Sequence, residues 1–249
     1  MLVIANGAFK SGSTWLFNIT RCLTQYPPPP SSFLNPDWVN PSIHPQKLKS
    51  LISSADLASK DYLTKNHFGS ESQRDLLLSC ENVKVLDIVR DIRDVVVSAY
   101  YHFRRKEKYT SSFENYYWTR GRFVAHRVQQ YHKVWKVPNN RVYVSSFKAL
   151  KSDFYSECRA IGQFLKRKEL SDREIQEVKE ETSIESLRSK YGSPDFFRKG
   201  ERGDWKHHLT KRMESDIDRI ENGYFDKSIP PVQKARDKIF YLMDLLLHR

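Results

Sequence analysis

Leu2-Val-Ile-Ala-Asn-Gly7-Ala-Phe-Lys10-Ser-Gly12-Ser-Thr14-Trp15, continued by Leu16-Phe-Asn-Ile-Thr-Arg-Cys-Leu23, sets three kinds of local order in succession. The apolar run Leu2 to Ala5 predicts a buried strand. Small residues from Gly7 to Ser13 cannot continue it and predict a tight loop. Thr14 then opens a run that places Leu16, Ile19 and Leu23 on one helical face. Strand, loop and helix amino end together aim backbone N–H groups and the positive end of a helix dipole at one point, where Lys10 adds a full charge. The expected guest is a phosphate.

Gly7 and Gly12 have the spacing of the nucleotide-kinase loop G-x-x-x-x-G-K-[ST], but Ser13 stands where that loop has its lysine. Lys10 lies two residues before the second glycine and approaches the phosphate from the other side. An ordinary strand-to-helix turn has the same outline. Lys10-Ser11-Gly12-Ser13-Thr14-Trp15 is more specific, because a large aromatic directly after the loop suits stacking on a purine.

At 249 residues the chain is sized for one α/β domain with a core that needs no disulfide or metal. Cys22, Cys80 and Cys158 are odd in number and widely spaced, which fits a reducing cytoplasm better than a disulfide framework. The first strand starts within two residues of Met1, leaving no room for a signal peptide, and no apolar run approaches a membrane span. Forty-two Lys and Arg against thirty Asp and Glu give a net charge of +12 and favour anionic partners. The densest basic runs, Arg104-Arg105-Lys106 and Lys166-Arg167-Lys168, are too short for a nucleic-acid tail and read as solvated helix ends. No nucleic acid and no membrane are expected as partners.

Pro27 to Pro30 end the first helix and open a Pro-, Ser- and Asn-rich surface connection to about Pro45. Leu48, Leu51 and Ile52 predict a short helix, and Tyr62 to Phe68 a short strand with polar groups at its carboxyl end. Val83 to Val89, interrupted by Lys84 and Asp87, has the near-continuous apolar character of a central parallel strand. A helix follows over Asp94 to Phe103, a long aromatic-rich helical region over Phe113 to Trp135, and a strand over Arg141 to Phe147. Helices are expected over Ser152 to Leu165, Ser171 to Glu180, Lys211 to Asn222 and Val232 to His248, with a loop from Phe196 to Trp205. Strands alternating with helices predict an α/β fold with a central parallel sheet flanked by helices, and ligands at the strands' carboxyl ends.

Two further stretches carry chemistry. In Val89-Arg90-Asp-Ile-Arg-Asp94-Val-Val-Val-Ser98, an arginine at a strand end and a hydroxyl on the next helix could share a second phosphate. An Arg–Asp network capping the strand would look the same. Phe197-Arg198-Lys199-Gly200-Glu-Arg-Gly203-Asp-Trp-Lys206 is a glycine-punctuated basic loop. With the Lys10–Trp15 loop, these segments resemble, in order and spacing, the phosphosulfate- and 3′-phosphate-binding segments of the cytosolic sulfotransferases. The resemblance runs from about Leu2 to Thr210 and implies a single domain over residues 1–249 with a P-loop-like loop after the first strand. It implies 3′-phosphoadenosine 5′-phosphosulfate (PAPS) as cofactor, the 3′,5′-bisphosphate PAP as product, and no metal. Lys10, Ser11, Gly12, Ser13, Thr14 and Trp15 would hold the 5′ end and the purine. Arg90, Ser98, Arg198, Lys199 and Gly200 would hold the 3′-phosphate, and Thr182 and Ile184 would lie near the adenine. Ile184 replaces the usual aromatic, and Phe147 stands where a tyrosine is usual.

Thr64-Lys65-Asn66-His67 resembles the family's Lys-Thr-His step, which makes His67 the general base and Lys65, with Lys10, the stabilisers of the moving charge. A lone histidine is more often structural, and only the other motifs raise this one. The implied activity is sulfuryl transfer to a hydroxyl or amine of a small-molecule acceptor, with acceptor-side segments at about 27–60 and 104–135 and a cofactor-closing loop at about 194–210. Competing readings are a P-loop nucleotide or small-molecule kinase and a non-catalytic nucleotide or polyanion binder. The family's dimer segment survives only at Lys206 and Thr210, Lys211 and Ser215 replacing its valine and glutamate, so a monomer or weak homodimer is expected, in the cytoplasm.

Overall fold

Four parallel strands in the order β2-β1-β3-β4 form the sheet: β1 (Leu2–Gly7), β2 (Tyr62–Lys65), β3 (Val83–Val89) and β4 (Val142–Ser146). The structure, a computed structural model, describes residues 1–165, 169–192 and 197–226. The helix expected over Val232 to His248, the run Lys166 to Lys168 and the first residue of the loop expected from Phe196 lie outside them. The chain divides into two compact units, Met1–Arg90 with Tyr131–Arg198, and Asp91–Gln130 with the chain from Lys199 onward.

The first unit holds the whole sheet. Leu2 to Ala5 are completely buried, as are Val83, Val85, Leu86 and Ile88, so the central strands are apolar on both faces, as parallel strands covered by helices must be. One face packs on α1 (Ser13–Thr24), α8 (Phe147–Ser152), α9 (Phe154–Phe164) and α10 (Asp172–Glu181) through Val3, Ala5, Leu63, Leu86 and Ile88. Helix α1 is capped by Gly12 at its start and by Gln25 at its end, whose left-handed backbone (φ 55°) precedes the prolines that forbid continuation. Ser171 caps α10 in a capping box with Glu174, as its position predicted.

The surface connection after Pro27, which leads into the short helices α2 (Leu48–Ile52) and α3 (Ala55–Ser59), is tied down at several points. Leu34 bridges Ile43, and the N–H groups of Leu63 and Lys65 donate to the carbonyls of Pro27 and Pro41. Phe147 opens α8 where sequence periodicity would end β4 on it; the Ser146 hydroxyl accepts the Ala149 N–H and starts the helix one residue earlier. α4 (Glu71–Leu78) and α11 (Ile184–Tyr191) lack a long apolar period and emerge only in the structure, each capped by a serine, Ser70 and Ser183.

In the second unit, α5 (Ile92–Lys106) runs one turn beyond the sequence expectation at its carboxyl end. The region from Phe113 to Gln130 is helical but not uniform: α6 (Phe113–Tyr116), a π-helical turn (Tyr117–Gly121), then α7 (Arg122–Trp135). Tyr117 donates its hydroxyl to Asp216 (2.8 Å), and Arg122 grips the same carboxylate with two bonds (2.7 and 3.0 Å). That buried clamp fixes α12 (Lys211–Glu221) in this unit.

Candidate active site

The carboxyl ends of the four strands, where ligands of open parallel sheets sit, carry Lys10 to Trp15, Lys65 and His67, Arg90 and Phe147. At Gly7, the last residue of β1, there is no room for a side chain: a Cβ there would lie 2.7 Å from Ile88 Cγ2 and 2.8 Å from Ser11 Oγ. The loop then turns through Lys10, itself left-handed (φ 64°), and is locked by the Ser11 hydroxyl donating to the Ala8 carbonyl at 2.6 Å. Gly12 is left-handed too (φ 106°), and a Cβ there would lie 2.9 Å from Phe147 Cδ2. With glycine as its cap, α1 has no side chain closing its amino end. That arrangement suits an external anion, which the N–H groups of the first turn and the Lys10 charge would receive.

Arg90 reaches this loop from the end of β3. Its guanidinium lies 4.2 Å from the Phe147 ring centroid and donates to the Lys10 carbonyl at 3.5 Å. Phe147 therefore has a job that needs no hydroxyl: it is the platform under Arg90 and the wall beside Gly12. Trp15 meets Phe147 edge-on (5.5 Å) and stacks at 24° on Phe154 (6.1 Å), so Phe154 supports the proposed purine platform. Sequence reasoning missed Phe154; its place follows from the packing of α9, which no local pattern shows.

Thr182 is buried with its hydroxyl on the Val178 carbonyl (2.7 Å), finishing α10, and Ile184 opens α11 half-buried. Arg188 holds the chain before Arg198 by donating to the carbonyls of Phe197 and Arg198. In the second unit, Ser98 sits half-buried on α5, and Lys199 pairs with Asp204 at 2.7 Å. Gly200 and Gly203 take left-handed turns (φ 65° and 80°). Asp94, unassigned by sequence, accepts the N–H groups of Gly203 (2.9 Å) and Trp205 (3.3 Å), and Arg93 stacks on Trp205 at 4.1 Å. An acid at the start of α5 thus anchors the glycine-punctuated loop within its own unit.

At the end of β2, His67 Nδ1 lies 2.6 Å from the Gly7 carbonyl and Nε2 lies 3.0 Å from Lys65 Nζ. A carbonyl only accepts, so Nδ1 carries the proton and Nε2 the lone pair. Burial first, and then the Lys65 charge, hold the imidazole down at about 3, against the Gly7 carbonyl. Burial, with Lys10 second, pulls Lys65 down to about 8. Near neutral pH the pair is therefore a neutral imidazole beside an ammonium. Asn66 fixes this corner, its amide donating to the Ser42 hydroxyl and the Ile43 carbonyl (3.1 Å each). The tied-down connection brings Trp38 over it: 44% exposed, its ring lies 5.6 Å from His67 and 5.5 Å from Lys65 Nζ. Among the described residues, no helix is long and apolar enough to cross a membrane.

Comparison with known proteins gives the family and the fold. The family described as "Sulfotransferase domain" matches residues 3–228. Cytosolic sulfotransferase 10 of Arabidopsis thaliana is 26% identical over 88% of this chain and 76% of that protein. Among solved structures, mouse sulfotransferase SULT7A1 complexed with PAP superposes with a TM-score of 0.66 at 17% identity, over 88% of this chain and 81% of that one. Retinol dehydratase in complex with androsterone and PAP gives a TM-score of 0.64 at 17% identity, over 89% and 80%. With the family model matching residues 3–228, nearly the whole chain, the chain belongs to the sulfotransferase-domain family, the enzymes that use PAPS as sulfuryl donor.

Proposed function

We propose that the protein transfers a sulfuryl group from PAPS to a hydroxyl or amine of a small-molecule acceptor, with His67 as general base. One observation carries the reading: the Gly7 carbonyl fixes the His67 tautomer at 2.6 Å, which leaves Nε2 as a lone pair beside Lys65 and under the exposed Trp38. PAPS, when bound, supplies a sulfuryl group carried on a phosphate leaving group. The Lys10–Thr14 loop, closed to side chains at Gly7 and Gly12, fits its 5′ end, Trp15 fits the purine, and Arg90 and Arg198 fit its remaining phosphate charge.

His67 takes the acceptor's proton at Nε2 while Nδ1 stays on Gly7, so the ring does not turn during transfer. Lys65 donates toward the same nitrogen in the resting site and is released to stabilise charge as the acceptor enters. Lys10, in the loop, stabilises the negative charge that builds during transfer more than it stabilises the ground state. Trp38 and Phe9, 37% exposed, offer apolar surface to the acceptor.

We place the protein in the cytoplasm, in keeping with relatives named cytosolic sulfotransferases. We read its state as monomer or weak homodimer, because Thr210 and Ser215 of the dimer segment spend their hydroxyls on their own helix; sedimentation equilibrium tests this.

The deciding experiment is His67→Ala assayed with acceptors of graded acidity. Turnover should fall about 10²–10⁴-fold with an un-ionised acceptor while folding and PAP binding survive. An acceptor already ionised at assay pH should recover part of the rate. Near-normal turnover of the folded variant on an un-ionised acceptor would end the assignment.

A further inference from the structure

Directly behind His67, two polar side chains interrupt strands that are otherwise apolar. Asn6 of β1 and Asp87 of β3 are partners in the parallel register, and both are fully buried. The Asn6 amide donates to Asp87 Oδ1 (3.2 Å) and to the Phe68 carbonyl (3.1 Å), and its oxygen accepts the Phe68 N–H (2.9 Å). From α7, the Tyr131 hydroxyl donates to the same Asp87 oxygen (3.1 Å), and the Trp135 indole donates to the Phe68 carbonyl (2.6 Å). Asn6 therefore closes a two-bond clamp on the Phe68 backbone, and Asp87 holds the clamp.

The clamp's position in the chain gives it a consequence for the site. Phe68 follows His67, and Gly7, whose carbonyl orients the His67 ring, follows Asn6. The backbone that carries the imidazole and the carbonyl that fixes its tautomer are each one residue from the same amide. Burying a carboxyl here is expensive, and two apolar residues would cost the core less. Among the described residues Asp87 Oδ2 has no hydrogen-bond partner, while both side-chain donors, Asn6 and Tyr131, converge on Oδ1. An arrangement that sacrifices stability beside a catalytic group points to positioning.

We propose that Asn6 and Asp87 are positioning residues for sulfuryl transfer: Asp87 orients the Asn6 amide, which clamps Phe68 so that His67 keeps Nδ1 on Gly7 and presents Nε2. This rests on His67 as the general base. The clamp is built from an acceptor oxygen, not a charge, so Asp87→Asn, oriented by the same two donors, should preserve it.

The test joins steady-state kinetics to ¹⁵N NMR of the histidine rings, with the His67 signals assigned by their loss in His67→Ala. In the native protein and in Asp87→Asn, His67 should show protonated Nδ1 and unprotonated Nε2, and kcat should agree within a small factor. In Asn6→Ala the signature should blur toward a tautomer mixture. There kcat should fall by about 10²-fold, the usual cost of misplacing a reacting group, with KM nearly unchanged and partial recovery on an ionised acceptor. Should Asn6→Ala not fold, Asp87→Leu, which removes the acceptor that orients the Asn6 amide, serves the same comparison. A folded Asn6→Ala or Asp87→Leu with the native tautomer signature and native kcat would overturn the proposal. Normal turnover in His67→Ala would instead remove the base, while the ring signals would still report whether Asn6 sets the tautomer.

Discussion

Asp87→Asn also separates what the carboxyl costs from what its oxygen does. Asp87 is fully buried, and desolvation lifts it from an ordinary 3.8 to about 7, against the hydrogen bonds from Tyr131 and Asn6. The unfolded chain loses this proton near 3.8, and the native protein keeps it to about 7. Between those values the native state binds more protons than the unfolded state, so stability falls as pH rises. Below the unfolded value the group makes no difference. Above the native value, the roughly three-unit elevation amounts to a loss on the order of 4 kcal/mol at 1.36 kcal/mol per unit. Lys65 and His67 are depressed in both proteins and cancel in the difference. The assay is urea unfolding of native and Asp87→Asn proteins in parallel, from about pH 4.5 to 8. The native curve should decline relative to the variant, with a slope approaching about 1.4 kcal/mol per pH unit in mid-range. Parallel curves would refute the reasoning, because they would mean that Asp87 ionises alike in both states.

Gly12→Ala should cost about 1–3 kcal/mol, since alanine must hold a left-handed backbone and push on Phe147 at 2.9 Å; an unchanged Tm would show that the loop relaxes freely. The same variant should weaken PAP, because Phe147 also carries Arg90. PAP itself should raise Tm while 5′-AMP does little, a hundredfold excess over Kd being worth about 2.7 kcal/mol. Arg198→Ala should remove that preference and leave the 5′-AMP response alone; equal native shifts with both ligands would sink the 3′-phosphate assignment.

Much of this was legible in the residues themselves. Strand, small-residue loop and helix follow from Leu2 to Leu23, and the loop's geometry needs the two glycines that the sequence supplies. His67 and Lys65 could be named as a pair, but not oriented: the tautomer depends on the Gly7 carbonyl, sixty residues away in sequence. Phe147 read as a tyrosine that had lost a hydroxyl; in the fold its ring carries the Arg90 guanidinium, a contact that needs only the aromatic face. Trp15 read as a bare stacking surface, yet Phe154 already stacks on it. In each case the missing fact was a tertiary neighbour, which no periodicity encodes.

Asn6 and Asp87 show where that limit lies. Each is visible in the sequence as a break in an apolar run, but nothing local says that the two breaks meet. They meet because β1 lies beside β3 and because Asn6 pairs with Asp87 in that register. The strands are buried on both faces, so apolar matching alone would tolerate a slip by a residue or two. A one-residue slip of β3 would turn Asp87 to the α1 face, away from both of its side-chain donors, at a cost of about 1–3 kcal/mol. The pair therefore specifies the register of the central strands as well as the clamp on Phe68. Gly7 and Lys10 on one strand end and Arg90 on the other are set at matching heights by the same register.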